Sequence, residues 1–220
     1  MTITYADVLK STEIQTYITQ ADASLLALGF TEHSFPHVKR CAQVAGDLLT
    51  QLNYEPHQVE LCRIAAYMHD IGNVVNRHDH AVSGATMAFR ILDKMGMAPT
   101  DVAAVITAIG HHDDSTAFPV NAIAAALILA DKTDVRRSRV RNRETITFDI
   151  HDRVNYAVER SDTVLDLEGK TFTLSLTINT DVCAVMDYFE IFLQRMLLCR
   201  KAAEKLGLTF KLDINGLVLL

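Results

Sequence analysis

Apolar residues recur at intervals of three and four through the first two-thirds of the chain, the spacing of helices that bury one face. Tyr5 to Leu28 forms the first such stretch, with Gly29 as its stop. A second helix starts near Ser34, tolerates Pro36 in its first turn, and carries the stripe Val38, Cys41, Val44/Ala45, Leu48 and Leu52. A third follows Pro56 and runs to about Asp70. A fourth spans Ala81 to Met95 and ends at Gly96, and a fifth opens at Pro99 and runs to about His112. The sixth, Val120 to about Arg139, is apolar on every side over its first half, which predicts a central position.

Beyond about residue 145 the period shortens. Val154 to Leu167 and Lys170 to Thr180 alternate polar and apolar residues around Glu168-Gly169-Lys170, the pattern of a β-hairpin. Asp181 to Leu206 returns to helical spacing and stops at Gly207, and Thr209 to Leu220 reads as a final strand. The expected fold is mainly α. Residues 1–145 form a helical domain of about six helices, and residues 146–220 a small ββαβ appendage.

The 220 residues, 49% hydrophobic and 22% charged, are those of a globular protein with a substantial core. No signal-like segment is present, and the longest apolar run, Ala122 to Ala130, is too short to cross a bilayer. Cys41, Cys62, Cys183 and Cys199 are widely spaced, which suits reduced thiols and a cytoplasmic setting. The net charge of −6 argues against a nucleic-acid partner. Positive charge is concentrated between Lys132 and Arg143, in a stretch that also holds Arg136, Arg137, Arg139 and Arg141. Such a run either complements a helix C-terminus or meets an anionic substrate.

Six side chains interrupt the apolar stripes: His37, the pair His69-Asp70, His80, His112 and Asp131. His37 shares a face with Cys41, Val44 and Leu48; His69 is in phase with Val59, Cys62 and Ala66; Asp131 follows nine apolar residues. Adjacent helical residues point about 100° apart, so His69 and Asp70 can bracket one ion. His112 is in phase with Val102, Val105 and Ile109, whereas His111 points towards the cavity rim. His80 opens its helix from a loop, Arg77 to Asp79, that offers competing donors. Hydrogen-bonded core histidines, and an arginine salt bridge to Asp131, are the plain alternatives. A divalent metal accepts imidazole nitrogen and carboxylate oxygen together and accounts for all six.

In order, His37-x-x-Arg40-Cys41-Ala42, Ala65-Ala66-Tyr67-Met68-His69-Asp70-Ile71-Gly72 and Ala130-Asp131-Lys132-Thr133-Asp134 resemble the HD superfamily of metal-dependent phosphohydrolases. His80-Ala-Val-Ser-Gly84-Ala85 and Ala108-Ile109-Gly110-His111-His112 resemble the additional histidine motifs of its dinuclear branch. The resemblance implies an HD-type helical bundle in which His37, His69, Asp70 and Asp131 hold one metal. Asp70 would bridge to a second, held by His80 and His112. Two departures stand out. Asn73 replaces the lysine that many relatives carry three residues after the aspartate, and no Gly-Tyr-Pro follows His112, which speaks against a cyclic dinucleotide.

The expected function is hydrolysis of a phosphoester, in a nucleotide or small phosphorylated metabolite, by metal-activated water. The cofactor is one or two divalent ions (Mn, Fe, Co, Mg or Zn). Asp70 would orient the nucleophile, His111 or Asp113 would protonate the leaving group, and Lys132, Arg136 or Arg139 would hold phosphate, Arg139 from two helical turns past Asp131. His33 would stand beside the ligands, outside the helix. Two readings compete: a non-catalytic metal- or nucleotide-binding regulatory module, and a di-iron oxygenase using the same ligands. The hairpin edge and the C-terminal helix suggest a homodimer through residues 150–220, though packing on the helical domain explains the same pattern.

Overall fold

The computed structural model describes residues 3–113, 117–141 and 150–219. Among them α1 spans Tyr5–Lys10, α2 Thr12–Ala27, α3 Phe35–Gln51, α4 Pro56–Met68, α5 His80–Lys94, α6 Pro99–Gly110 and α7 Ala122–Lys132. These are followed by α8 (Ile150–Ala157), β1 (Val158–Asp166), β2 (Thr171–Ile178), α9 (Val185–Lys205), β3 (Thr209–Ile214) and β4 (Leu217–Val218). The fold is mainly α, a helical bundle followed by a small C-terminal sheet, as the hydrophobic period predicts.

Every residue from Ile123 to Ala130 is buried. Helix α7 achieves this by packing between α3 and α4 on one side and α9 on the other. One continuous apolar cluster therefore runs from Val8 in α1 to Ile214 in β3. The sheet has the order β1-β2-β3-β4, with β1–β2 and β3–β4 antiparallel and β2–β3 parallel. Parallel neighbours need a crossover, and α9 supplies it, lying against β3 and α7. All four cysteines are buried as free thiols.

Four boundaries differ from the sequence reading. The first helix is two, because Ser11 adopts extended backbone and its hydroxyl accepts a bond from the Ile14 amide, capping α2. The sixth ends at Lys132, not near Arg139, which belongs to a short 3-10 turn, Arg137–Arg139. Thr133 bonds its hydroxyl to the Leu129 carbonyl and the chain turns there, bringing Asp134 inside. Val154 to Ala157 is the end of α8, since Val154 and Ala157 lie one helical turn apart and are both buried; the strand begins only at Val158. The final strand is broken by Asn215-Gly216, both at positive φ (54° and 82°), a two-residue hairpin turn between β3 and β4.

Candidate metal centre

The bundle brings one end of each of α3, α4, α5, α6 and α7 to a common region. His37 lies in the first turn of α3 and His80 opens α5. His69 and Asp70 follow the last residue of α4, His112 follows the end of α6, and Asp131 is the penultimate residue of α7. All six predicted ligands converge there, and the four histidines and Asp70 are buried.

His37 Nε2 is 3.4 Å from Asp131 Oδ1 and 3.6 Å from Asp70 Oδ2, and His69 Nε2 is 3.2 Å from that same Asp70 oxygen. On the other side of Asp70, Oδ1 lies 3.5 Å from His80 Nε2, which is itself 3.2 Å from His112 Nε2. Asp70 thus stands between a His37–His69–Asp131 group and a His80–His112 group.

The opposite ring nitrogens explain what these Nε2 atoms are for. Each Nδ1 faces an acceptor: Asp134 Oδ2 at 2.8 Å for His37, the Ala66 carbonyl at 2.7 Å for His69, the Arg77 carbonyl at 3.1 Å for His80, and the Ile109 carbonyl at 2.6 Å for His112. Acceptors there place the ring hydrogen on Nδ1 in all four imidazoles, so each neutral ring presents a lone pair at Nε2. Two lone pairs 3.2 Å apart, as in His80 and His112, repel unless a proton or cation lies between them. His69 Nε2 and Asp70 Oδ2 are buried with no hydrogen-bond partner of acceptable geometry. Orphaned polar atoms of that kind are costly, and the donor set fits a divalent cation. Ligand atoms of His37, Cys41, His69 and Asp131 form one group close enough to hold an ion, and those of His69, Asp70 and His112 another.

The electrostatics agree. Burial works against the charges on Asp70 and Asp131, yet both carboxyls are held well below the usual range, Asp70 chiefly by His69 and Asp131 chiefly by Lys132. Burial pushes His112 and His80 down, towards the neutral imidazoles that metals take.

The residues expected to serve the substrate are differently placed. Lys132 Nζ lies 2.8 Å from Asp131 Oδ2, and Arg136 and Arg139 both turn towards Asp134. Arg139 also donates to the carbonyls of Glu32 and Asp134, both at 2.8 Å. Arg137 reaches Glu159 and Arg141 reaches Asp22, so this basic stretch ties segments together; Arg143 and Asp114 lie outside the described residues. His111 is half-buried and donates to the Thr107 carbonyl, away from the ligand nitrogens. Asp113 Oδ1 comes within 3.9 Å of His80 Nδ1. His33 packs edge-to-face on His37 with ring centres 5.5 Å apart.

Three contributors escaped the sequence reading. Asp134 fixes the His37 ring and is neutralised by Arg40, Arg136 and Arg139. Asn73 donates to both the carbonyl and Oδ1 of Asp70, each at 2.9 Å. Arg77 bonds Asn73 Oδ1 at 3.3 Å and approaches His80 Nε2 at 3.4 Å. Asp134 had a signal in its position three residues after Asp131, and Asn73 in its position three residues after Asp70.

A helical bundle whose helix ends gather four imidazoles around two carboxylates defines a metal-binding domain. The HD domain family model matches residues 35–156, and the chain belongs to that family, within a superfamily of metal-dependent phosphohydrolases. The chain is also similar to an uncharacterized protein of Methanocaldococcus jannaschii, 26% identical over 159 residues. That alignment covers 62% of this chain and 61% of the archaeal protein, so the chain spans less than two-thirds of its relative's length. Among the described residues no helix is long and apolar enough to cross a membrane.

Proposed function

We propose that the chain hydrolyses the phosphoester of a small phosphorylated molecule, using one or two divalent metal ions held by His37, His69, Asp70, His80, His112 and Asp131. The observation that carries this reading is the shared orientation of the four imidazoles: every Nδ1 is engaged, the Nε2 atoms of His37, His69 and His80 face Asp70 or Asp131, and that of His112 faces His80 Nε2. When bound, such a metal supplies an acidified water as nucleophile and neutralises charge on the phosphoryl oxygens.

The protein's own groups do the rest. Asp70, steadied by Asn73, accepts the hydrogen of an attacking water and aligns it. Asp113 or His111, at the exit of α6, returns a proton to the departing oxygen. Lys132 balances Asp131 and lies within reach of an incoming phosphate, with Arg136 and Arg139 adding positive charge around Asp134.

The test is anaerobic purification with elemental analysis, followed by a phosphatase and phosphodiesterase panel with Mn²⁺, Co²⁺ and Mg²⁺. Metal-dependent phosphate release without O₂ uptake is expected. Oxygen consumption by an iron-loaded sample, or tight nucleotide binding with no turnover under any metal, would replace this reading with one of its competitors.

A further inference from the structure

Beside the ligand cluster lies a cavity of about 340 Å³, lined by Phe30, His33, Arg77 and Asp134, by Asp152 of α8, and by Phe192 and Arg195 of α9. We infer that this cavity is the substrate pocket and selects a small phosphate monoester bearing a second anionic group, with Arg77 on the phosphate and Arg195 on the second anion. The inference rests on the phosphohydrolase reading and names its substrate class.

Arg77 is the cation best placed for a phosphate at the centre. It is half-buried, and among the described residues no carboxylate pairs with it. Its partners are a neutral amide oxygen on Asn73, the His80 ring nitrogen, and the face of Phe30 at 5.5 Å. A guanidinium drawn that far from water without an anion is a docking point for one. Lys132, Arg136 and Arg139 each already have a carboxylate. Arg77 is bonded to Asn73, which also donates to Asp70 Oδ1, so its guanidinium sits beside the ligand cluster.

Arg195 faces the same cavity from the C-terminal half, its guanidinium over Phe192 at 4.9 Å. Stacking on a ring limits the rotamers a long side chain must give up when it grips a ligand. Arg77 lies over Phe30 and Arg195 over Phe192, on different walls of the cavity, which suits two separate anionic groups better than one shared phosphate. A space of this size takes a compact metabolite and no polymer. Phe30, His33, Phe192 and Arg195 lie outside the family-matched residues 35–156, whereas Arg77, Asp134 and Asp152 lie within them, so both tracts build the pocket.

The experiment is calorimetric titration of the full chain, stripped of metal so that no turnover intervenes. Two pairs of probes are used: 3-phosphoglycerate against glycerol 3-phosphate, where the second anion is a carboxylate, and fructose 1,6-bisphosphate against fructose 6-phosphate, where it is a phosphate. Wild-type protein should prefer the doubly anionic member of at least one pair by about tenfold, and the pair identifies the group. Arg195→Gln should collapse that preference, Arg195→Lys should restore part of it, and Arg77→Gln should weaken both members. Equal affinity within both pairs, or a preference that survives Arg195→Gln in a variant with wild-type melting temperature, overturns the inference. Hydrolysis of p-nitrophenyl phosphate by the metal-loaded wild type is measured in parallel. Turnover without preference removes the pocket assignment alone, and preference without turnover removes the hydrolase reading alone.

Discussion

His37 Nδ1 and Asp134 Oδ2 lie 2.8 Å apart, joining residues 97 positions distant in the chain. Both side chains are fully buried, and three arginines surround the carboxylate. Asp134 therefore selects which nitrogen of His37 is left to face the cluster, an arrangement that stiffens a metal-bound imidazole and raises its basicity. Asp134→Asn, which keeps the shape and loses the charge, should weaken metal retention by about 10–100-fold. Competition against a graded chelator series measures this. Unchanged retention would show that the contact serves folding alone.

Asp131 and His111 separate binding from chemistry. Asp131→Ala removes an oxygen facing both His37 and His69 and should abolish metal binding in elemental analysis. His111→Ala touches no ligand nitrogen and should lower turnover while leaving metal content near wild type. Equal metal loss in the two variants would place His111 among the ligands.

Gly72 lies where two backbones nearly touch. A β-carbon there would fall 2.0 Å from the His80 carbonyl oxygen and 2.5 Å from the Gly84 amide nitrogen. Neither atom belongs to a flexible side chain, so the start of α5 must move, and His80 with it. Gly72→Ala should cost about 1–3 kcal/mol, read as a lower melting temperature, and should lower metal stoichiometry as well. Wild-type values for both would show that the turn yields freely.

The metal-free chain should lose stability as pH falls from 7 to 5. Burial depresses the pKa values of His33, His80 and His112, so on acidification the unfolded chain takes up their protons first. Their contribution is present above the free imidazole value of about 6.5 and erodes below it. His69 runs the other way. Burial opposes its charge, but Asp70 raises its pKa, so its contribution is present below about 6.5 and fades as pH rises through the folded value. Three groups against one set the slope. The depressed carboxyls of Asp70 and Asp131 add to it only near pH 4 and below, where unfolded aspartates protonate. Melting curves in chelator at pH 7, 6 and 5 check the sign, and a flat or rising trend would contradict it.

Local pattern carried most of the fold. A stripe such as Val38, Cys41, Ala45 and Leu48 states both that a helix forms and which way it faces, and His37 could be placed by belonging to that stripe. Errors arose where one side chain outweighed the period. Ser11 splits a continuous pattern with a single cap, and the inward turn at Asp134 ends α7 seven residues before the stretch expected to reach Arg139. The six clustered side chains were legible as candidates because they are polar residues that interrupt apolar stripes. Their supports were not, because Asn73, Arg77 and Asp134 sit where polar residues look ordinary, and only the assembled bundle brings them to Asp70, His80 and His37.

The cavity draws its lining from both ends of the chain, Phe30 and His33 on one side and Phe192 and Arg195 on the other, and from the stretch between them, through Arg77, Asp134 and Asp152. Distant tracts of the polypeptide are thereby clasped over one hollow. Loss of either flank would strip part of its lining while leaving the buried histidines and aspartates of the cluster in the sequence.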